Sequence, residues 1–191
     1  MPEFARIDKY PQFCGFTLEA SAANVETEIR LTLPKYRFGT GASQSSVICW
    51  EFLKIEIFPL LELTHAAGCD FTVSASTASH AGLAGDDFTS GINEGDNIFF
   101  HHGFYPEGQI TFPYHQHYQS GTAPFVCDLQ FNDGRGVPVA SDYIYIQLDS
   151  TNYNNALWID GRIWYRFIKL SLAEYIGLLQ QQAVPETQPV I

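Results

Sequence analysis

Four of the six histidines lie close together in the chain, as the neighbours His101-His102 and as the pair His115-x-His117. Side chains two residues apart on a β-strand point to the same face. His115 and His117 therefore have the geometry in which two imidazoles bind zinc, iron or manganese. The simpler interpretation, which we adopt, is that these are polar residues of loops and strand ends at a surface or interface.

The H-x-H spacing is also found in cupins, a metal-binding family with a jelly-roll type of fold. Cupins follow it within a few residues with a glutamate ligand and a glycine, whereas residues 118–122 contain no acid. The chain also lacks a G-x-S-x-G nucleophile motif and a glycine-rich phosphate loop that ends in Lys-Ser or Lys-Thr. We therefore predict a protein that is not an enzyme and holds no cofactor and no metal.

A second set of candidate ligands lies in a glycine-rich stretch, where Asp86, Asp87, Glu94 and Asp96 crowd together. Carboxylate oxygens are the ligands that Ca²⁺ prefers. The D-x-D-x-D-G spacing of a calcium loop is absent, however. We expect a solvated acidic loop here, with Asp86 and Asp87 as the residues that could hold an ion.

The distribution of charge limits the possible partners. The net charge is −11, and residues 55–134 contain ten acids but no Lys or Arg. Nucleic-acid binding that does not read bases needs a basic surface that displaces counterions. The one basic cluster is Arg30, Lys35 and Arg37, and these are the predicted nucleic-acid contacts. The alternative is ordinary surface charge at a strand end.

Alternating apolar and polar residues predict an all-β fold. In residues 143–169, Ile144 and Ile146 alternate with tyrosines. After a turn rich in Asn and Ser, Trp158, Arg162 and Trp164 share one face and alternate with aliphatic and aromatic residues on the other. Long connections between such strands favour an antiparallel Greek-key sandwich. The eight predicted strands are 25–33, 47–58, 70–76, 97–104, 109–113, 125–131 and the two strands within 143–169.

The remaining segments complete a single-domain organisation. Residues 1–24 predict an N-terminal arm, residues 25–170 the sandwich, and residues 171–191 a short helix and a tail. Ser171 with Glu174 three residues later is a capping box, which predicts the helix start. No signal peptide and no apolar run of membrane-spanning length is present. Cys49 and Cys127 lie in apolar strands and are expected to be free buried thiols.

Residues 136–182 carry a family resemblance. The matching features are Ala140-Ser141-Asp142 leading into a strand that ends Gln147-Leu148-Asp149-Ser150, the strand end Tyr165-Arg166-Phe167, and Leu172-Ala173-Glu174-Tyr175-Ile176-Gly177 followed by glutamines. This part of the chain resembles the C-terminal part of capsid proteins from environmental small circular single-stranded DNA viruses (CRESS-type).

The resemblance implies an eight-stranded antiparallel jelly roll with a short C-terminal helix. It also implies many copies that self-assemble into a small icosahedral shell around a circular single-stranded DNA genome, so that the protein resides in the virion. Many such proteins begin with an arginine-rich arm, whereas this chain has only Arg6 and Lys9 before Arg30. Packaging of nucleic acid is therefore expected to be weak.

Aromatic residues make up 15% of the chain and charged residues only 16%, so some aromatic side chains are expected to face partner subunits. The loops at 80–96 and 114–123 are expected at the outer surface or at symmetry axes. The first alternative function is a carbohydrate- or receptor-binding β-sandwich, and the second is a cupin-like metalloprotein. The predicted subunit-interface residues are Trp158, Trp164, Tyr175, Ile176 and Leu179.

Overall fold

The computed structural model describes residues 5–7, 10–20, 26–34, 46–60, 69–81, 96–105, 125–151 and 157–182. These residues form ten strands and one helix. The strands are β1 (Ala5–Arg6), β2 (Gln12–Ala20), β3 (Thr27–Thr32), β4 (Ser46–Leu60), β5 (Cys69–Ser76), β6 (Asn97–Tyr105), β7 (Phe125–Asp128), β8 (Val137–Val139), β9 (Tyr143–Thr151) and β10 (Leu157–Ser171). The helix is α1 (Leu172–Gln182).

The strands pack as two antiparallel sheets. In the six-stranded sheet, β10 pairs with β1 and β2 on one side and with β4 on the other, and β4 also pairs with β7 and β8. The four-stranded sheet has the order β3-β9-β5-β6. Because successive strands cross repeatedly from one sheet to the other, the connections form the two Greek keys of a jelly roll. The predicted fold class is confirmed.

The core lies between the sheets and is built from the inward residue of each alternating pair. From the six-stranded sheet, Leu18, Ile55 and Ile163 are buried, and from the four-stranded sheet Val73 and Ile146. The alternation predicted for β9 and β10 is therefore confirmed. Cys49 is a free buried thiol as expected, and burial raises its pKa to about 12. Cys127 is also free, and it is half-buried.

Most predicted strands are present, and three others are added. The predicted strands 25–33, 47–58, 70–76, 97–104 and 125–131 correspond to β3, β4, β5, β6 and β7, and the pair within 143–169 corresponds to β9 and β10. The predicted strand 109–113 lies outside the described residues. The described part has ten strands where eight were expected, because β1, β2 and β8 also form.

Two details of the prediction are wrong. Residues 12–20 do not form an arm: they are β2, which pairs along β10 and contributes Phe16 and Leu18 to the core. Within the predicted strand 47–58, strict alternation would place Phe52 on the face opposite Ile55, yet both are buried in the same core. The reason is a β-bulge, because Tyr165 pairs with Phe52 while Trp164 pairs with Lys54. The extra residue reverses the alternation of β4.

Helix α1 docks on the outer face of the six-stranded sheet. Tyr175 and Leu178 pack against a small cluster formed by Cys49, Ile168 and Leu170. The predicted capping box forms at its start, and the Gln182 side chain fixes its end by donating to the carbonyl of residue 138 at 2.7 Å. No helix among the described residues is long and apolar enough to cross a membrane.

Candidate subunit interface

The outer face of the six-stranded sheet carries an ordered array of aromatic and charged side chains. Along its central strand β10, Trp158, Asp160, Arg162 and Trp164 point away from the core, because Ile159, Gly161, Ile163 and Tyr165 are buried between them. The register with β2 and β4 then fixes the neighbours of each. We call this region the outer array: Phe13, Gly15, Thr17 and Glu19 of β2, Lys54, Glu56 and Phe58 of β4, and the four outward residues of β10.

Rings and cations contact one another across the outer array. The rings of Phe13 and Trp164 lie 5.3 Å apart, and the Lys54 ammonium lies 4.6 Å from the Trp164 ring centroid. The Arg162 guanidinium lies 5.6 Å from the ring of Phe13 and 5.5 Å from that of Phe58. Cation–π contacts of this kind orient the charged groups over the sheet. The array is therefore ordered before any partner binds.

Hydrogen bonds fix the polar members of the outer array. Glu56 accepts from the Trp164 indole at 2.9 Å and from the Lys54 ammonium at 2.8 Å. The bond from Lys54, and after it the bond from Trp164, lowers the pKa of Glu56. Thr17 donates to Asp160 at 2.6 Å. Despite this order, Phe13 stays 57% exposed and Trp158 42% exposed, so large apolar area remains open to a partner.

Helix α1 presents a second apolar surface. Leu172, Ile176 and Leu179 are 46%, 46% and 40% exposed, and their spacing places them on one side of the helix. We call these three residues the helix stripe. Tyr175 and Leu178 lie on the side that packs against the sheet. The stripe therefore extends the apolar surface on the outer side of the six-stranded sheet.

The predicted interface residues separate into two groups. Trp158, Ile176 and Leu179 are exposed and Trp164 is half-buried, so all four present surface on the same side of the sandwich. Tyr175 instead packs within its own chain, and its hydroxyl donates to the carbonyl of residue 140 at 3.3 Å.

The four members of the outer array on β2 (Phe13, Gly15, Thr17 and Glu19) were missed because their segment was predicted to be an arm. The signal was present, since Cys14, Phe16, Leu18 and Ala20 alternate with outward residues.

The buried ion pair between Glu51 and Arg166 lies beside the outer array on the same face of the sheet. Glu51 is 1% exposed, and its carboxylate receives the Arg166 guanidinium and the backbone N–H of Gly136 at 2.9 Å. Arg166 also donates to the carbonyl of Gly134 at 2.7 Å. Gly134 lies in the turn between β7 and β8 and has a φ of 73°. The pair ties this turn to β4 and β10.

The described part of the outer face of the four-stranded sheet carries a polar network. Ser74 donates to Gln147 at 2.6 Å, and Gln147 donates to Ser76 at 2.8 Å; all three residues are buried. The segment after β5 closes over them, because Glu28 accepts from Gln147 at 3.1 Å and from the backbone N–H of His80 at 2.9 Å. The polar groups of this face are therefore largely satisfied within the chain.

Of the residues predicted to contact nucleic acid or a metal ion, the structure describes only Arg30. Arg30 is exposed at the edge of the four-stranded sheet, with its guanidinium 5.4 Å from the Tyr143 ring centroid. Lys35 and Arg37 lie outside the described residues, so the predicted basic cluster is seen only in part. His115, His117, Asp86 and Asp87 also lie outside them. Within the described ranges, no group of three or more His, Cys, Asp or Glu side chains could hold a metal ion.

Comparison with known proteins identifies relatives by structure alone. No protein-family model matches the chain, and no curated protein matches it. VP1 of Trichodysplasia spinulosa-associated polyomavirus in complex with GM1 oligosaccharide superposes with a TM-score of 0.53 at 7% identity, over 88% of this chain and 98% of that chain. The same VP1 in complex with 3'-sialyllactose gives 0.53 at 7% identity, over 89% and 100%. At this identity the likeness shows the jelly-roll fold.

Proposed function

We propose that this chain is a viral capsid protein whose copies self-assemble into a small icosahedral shell enclosing a circular single-stranded DNA genome. The observation that carries the proposal is the jelly-roll connection of its two sheets, which superposes on a viral capsid protein over nearly the whole length of both chains. The resemblance of residues 136–182 to capsid proteins of small single-stranded DNA viruses supports the same role. Neither argument depends on the other.

The exposed surfaces support self-assembly. A helix that is docked through Tyr175 and Leu178 gains nothing for its own fold from three further apolar residues on its other side. Covering such side chains is worth about 25 cal/mol for each Å² of apolar surface removed from water. The helix stripe and the outer array thus supply the driving force for association, which has to outweigh the repulsion between copies that each carry a net charge of −11.

The experiment is a measurement of particle size. Purified protein should form particles of megadalton mass in size exclusion and closed shells in negative-stain microscopy. Ile176→Asp should abolish them, because it places a charge in the helix stripe. Gln181→Asp adds the same charge to an exposed position on the side of the helix away from the stripe and should leave assembly intact. A wild-type chain that stays a monomer or trimer at high concentration would contradict the proposal.

The genome is tested separately on the same particles. Arg30 is an exposed cation on the four-stranded side, and we propose it, with Lys35 and Arg37, as the contact to DNA. With so few cations, bound DNA should be displaced by modest salt. Nuclease-protected DNA that falls in amount for Arg30→Ala would support this contact. Particles that form without protected DNA would limit the function to the shell.

Glycan binding is the second candidate function. The VP1 structures that resemble this chain hold GM1 oligosaccharide and 3'-sialyllactose, and a sugar-binding sandwich was the alternative from the sequence. A shell that binds acidic glycans would serve attachment to a host cell. Binding of purified particles to an array that contains sialylated and neutral glycans tests it. Equal background on both classes would exclude it.

A further inference from the structure

The order of the outward residues along β10 stays the same when the strand is reversed and the two charges exchange sign. From one end they are Trp158, Asp160, Arg162 and Trp164, with Gly161 at the centre. A sequence of this kind is complementary to its own reverse. When a reversed copy of the strand faces the first, Trp158 opposes Trp164 and Asp160 opposes Arg162, and each of these contacts occurs twice.

We propose that the outer array docks on the outer array of a second copy, about a two-fold axis that passes over β10 at Gly161. The inference rests on the self-association in the proposed function and specifies one of its contacts. An axis in the interface plane, perpendicular to β10, reverses the strand direction of the second copy. Trp158 then meets Trp164 of the second copy, and Asp160 meets Arg162 of the second copy, each twice. Such an interface is isologous and closed.

The two charged groups are prepared for a partner. Thr17 occupies Oδ1 of Asp160, and Oδ2 makes no hydrogen bond within the described part of the chain. The Arg162 guanidinium is exposed and stacked on two rings, and it donates no hydrogen bond to any of the described residues. The two side chains are therefore held apart on one strand. Each has the bonding capacity that the opposite group of a second copy would satisfy.

The axis also fixes what the flanking strands oppose, and on β4 it sets Glu56 against Phe58 of the second copy. The axis that reverses β10 also reverses β2, so Phe13 faces Glu19 of the second copy, and Gly15 faces Thr17 of the second copy. A Cβ at Gly15 would have only the backbone carbonyl of Gly161 within reach, at 3.6 Å. The missing side chain thus leaves a depression in the face that admits a side chain from across the interface. Facing sheets pack about 10 Å apart with interdigitated side chains.

The charge pattern favours a second copy over a nucleic acid. The outer array holds Lys54 and Arg162 together with three acids, Glu19, Glu56 and Asp160. A polyanion requires one dominant positive sign, whereas a self-complementary face requires both signs on the same surface. The enrichment in Trp, Phe and Arg is also typical of the centre of a protein interface. Stacking β10 without reversal would oppose Asp160 to itself, and this orientation is disfavoured.

The test is complementation between two charge-reversed variants. Asp160→Arg gives two cations and Arg162→Asp gives two acids, so neither variant can pair with itself. We expect the dissociation constant of the contact to rise about 100-fold or more for each variant alone. In an equimolar mixture every pair is opposite again, and association should return to the wild-type value. Sedimentation velocity on dilute, low-salt samples measures both.

Controls separate the possible failures. Asp142→Arg and Lys169→Asp reverse exposed charges outside the outer array and should associate as wild type. The exchanged variant with both Asp160→Arg and Arg162→Asp should self-associate, which also covers a single variant that does not fold. Single variants that assemble normally, or folded variants that the mixture does not rescue, would overturn the two-fold contact while wild-type particles still support the capsid proposal. Wild-type dimers that form no particles would support the two-fold contact and contradict the capsid proposal.

Discussion

Removing Arg166 from the buried ion pair should destabilise the sandwich more than removing the charges of both partners. Arg166→Met leaves the Glu51 carboxylate, 1% exposed, with the backbone N–H of Gly136 as its remaining donor among the contacts described. An uncompensated buried charge costs about 3–5 kcal/mol. The Arg166 side chain is itself 12% exposed, so water reaches the site, and we expect about 3 kcal/mol. At about 2–4 °C per kcal/mol, the melting temperature should fall by about 6–12 °C.

A second substitution should then restore stability. Glu51→Gln removes the negative charge and keeps an oxygen that accepts from Gly136, so alone it should cost about 1–2 kcal/mol. Combined with Arg166→Met, it removes the unpaired charge, and the double variant should be more stable than Arg166→Met alone by about 1 kcal/mol or more. Urea unfolding of dissociated subunits, followed by tryptophan fluorescence, measures all three.

The control is Lys169→Met, which removes an exposed cation from the same strand and should change stability by about 0.5 kcal/mol or less. Two results would refute the reasoning. One is a cost below about 1 kcal/mol for Arg166→Met, which would mean that water or a conformational change solvates the carboxylate. The other is a double variant that is less stable than Arg166→Met, which would mean that the Glu51 charge is favourable without its partner.

Two further predictions concern local structure. Gly161→Ala places a Cβ within the ring of Phe16, and the overlap should cost about 1–3 kcal/mol in thermal unfolding; Gly177→Ala, with nothing near its Cβ, should not destabilise. A hydrogen bond from the Ser171 hydroxyl, and then one from its backbone, lowers the pKa of Glu174 from its ordinary 4.5. The capping contribution is therefore complete above the ordinary pKa of 4.5 and lost as pH falls through the depressed pKa. The stability difference between wild type and Glu174→Gln should shrink from about pH 6 to about pH 3.

The sequence predicts strands well where one face of the strand is buried and the other is not. Strands β9 and β10 alternate clearly, so the residues that share each face were grouped correctly, although the sequence did not tell which face looks inward. Strand β2 has the same alternation, but Pro11 directly before it and Gly15 at one of its outward positions weaken the strand signal. The β-bulge in β4 was not predictable, because an unpaired residue is defined only by the partner strand. That one residue transfers Phe52 to the core.

Helical periodicity leaves a different ambiguity among the residues of α1 that were predicted for the interface. Helix α1 has two apolar sides, one with Tyr175 and Leu178 and one with Ile176 and Leu179. Helical periodicity finds both sides but does not tell which one packs on the same chain. The docking cluster decides it, since Cys49 and its neighbours on the sheet accept Tyr175. Exposed residues on β10 did not have this ambiguity, because the side chains of a strand have only two directions.

The two outer faces of the sandwich differ in what an association would gain. On the four-stranded side, Ser74 and Gln147 already bond to one another beneath a covering segment, so a partner would have to desolvate groups that are satisfied. On the six-stranded side, Phe13 and Trp158 remain exposed beside the helix stripe, and covering them carries no such cost. We therefore expect contacts between copies to concentrate on the six-stranded side. Arg30 lies on the other side, where its cation stays available to a polyanion such as DNA.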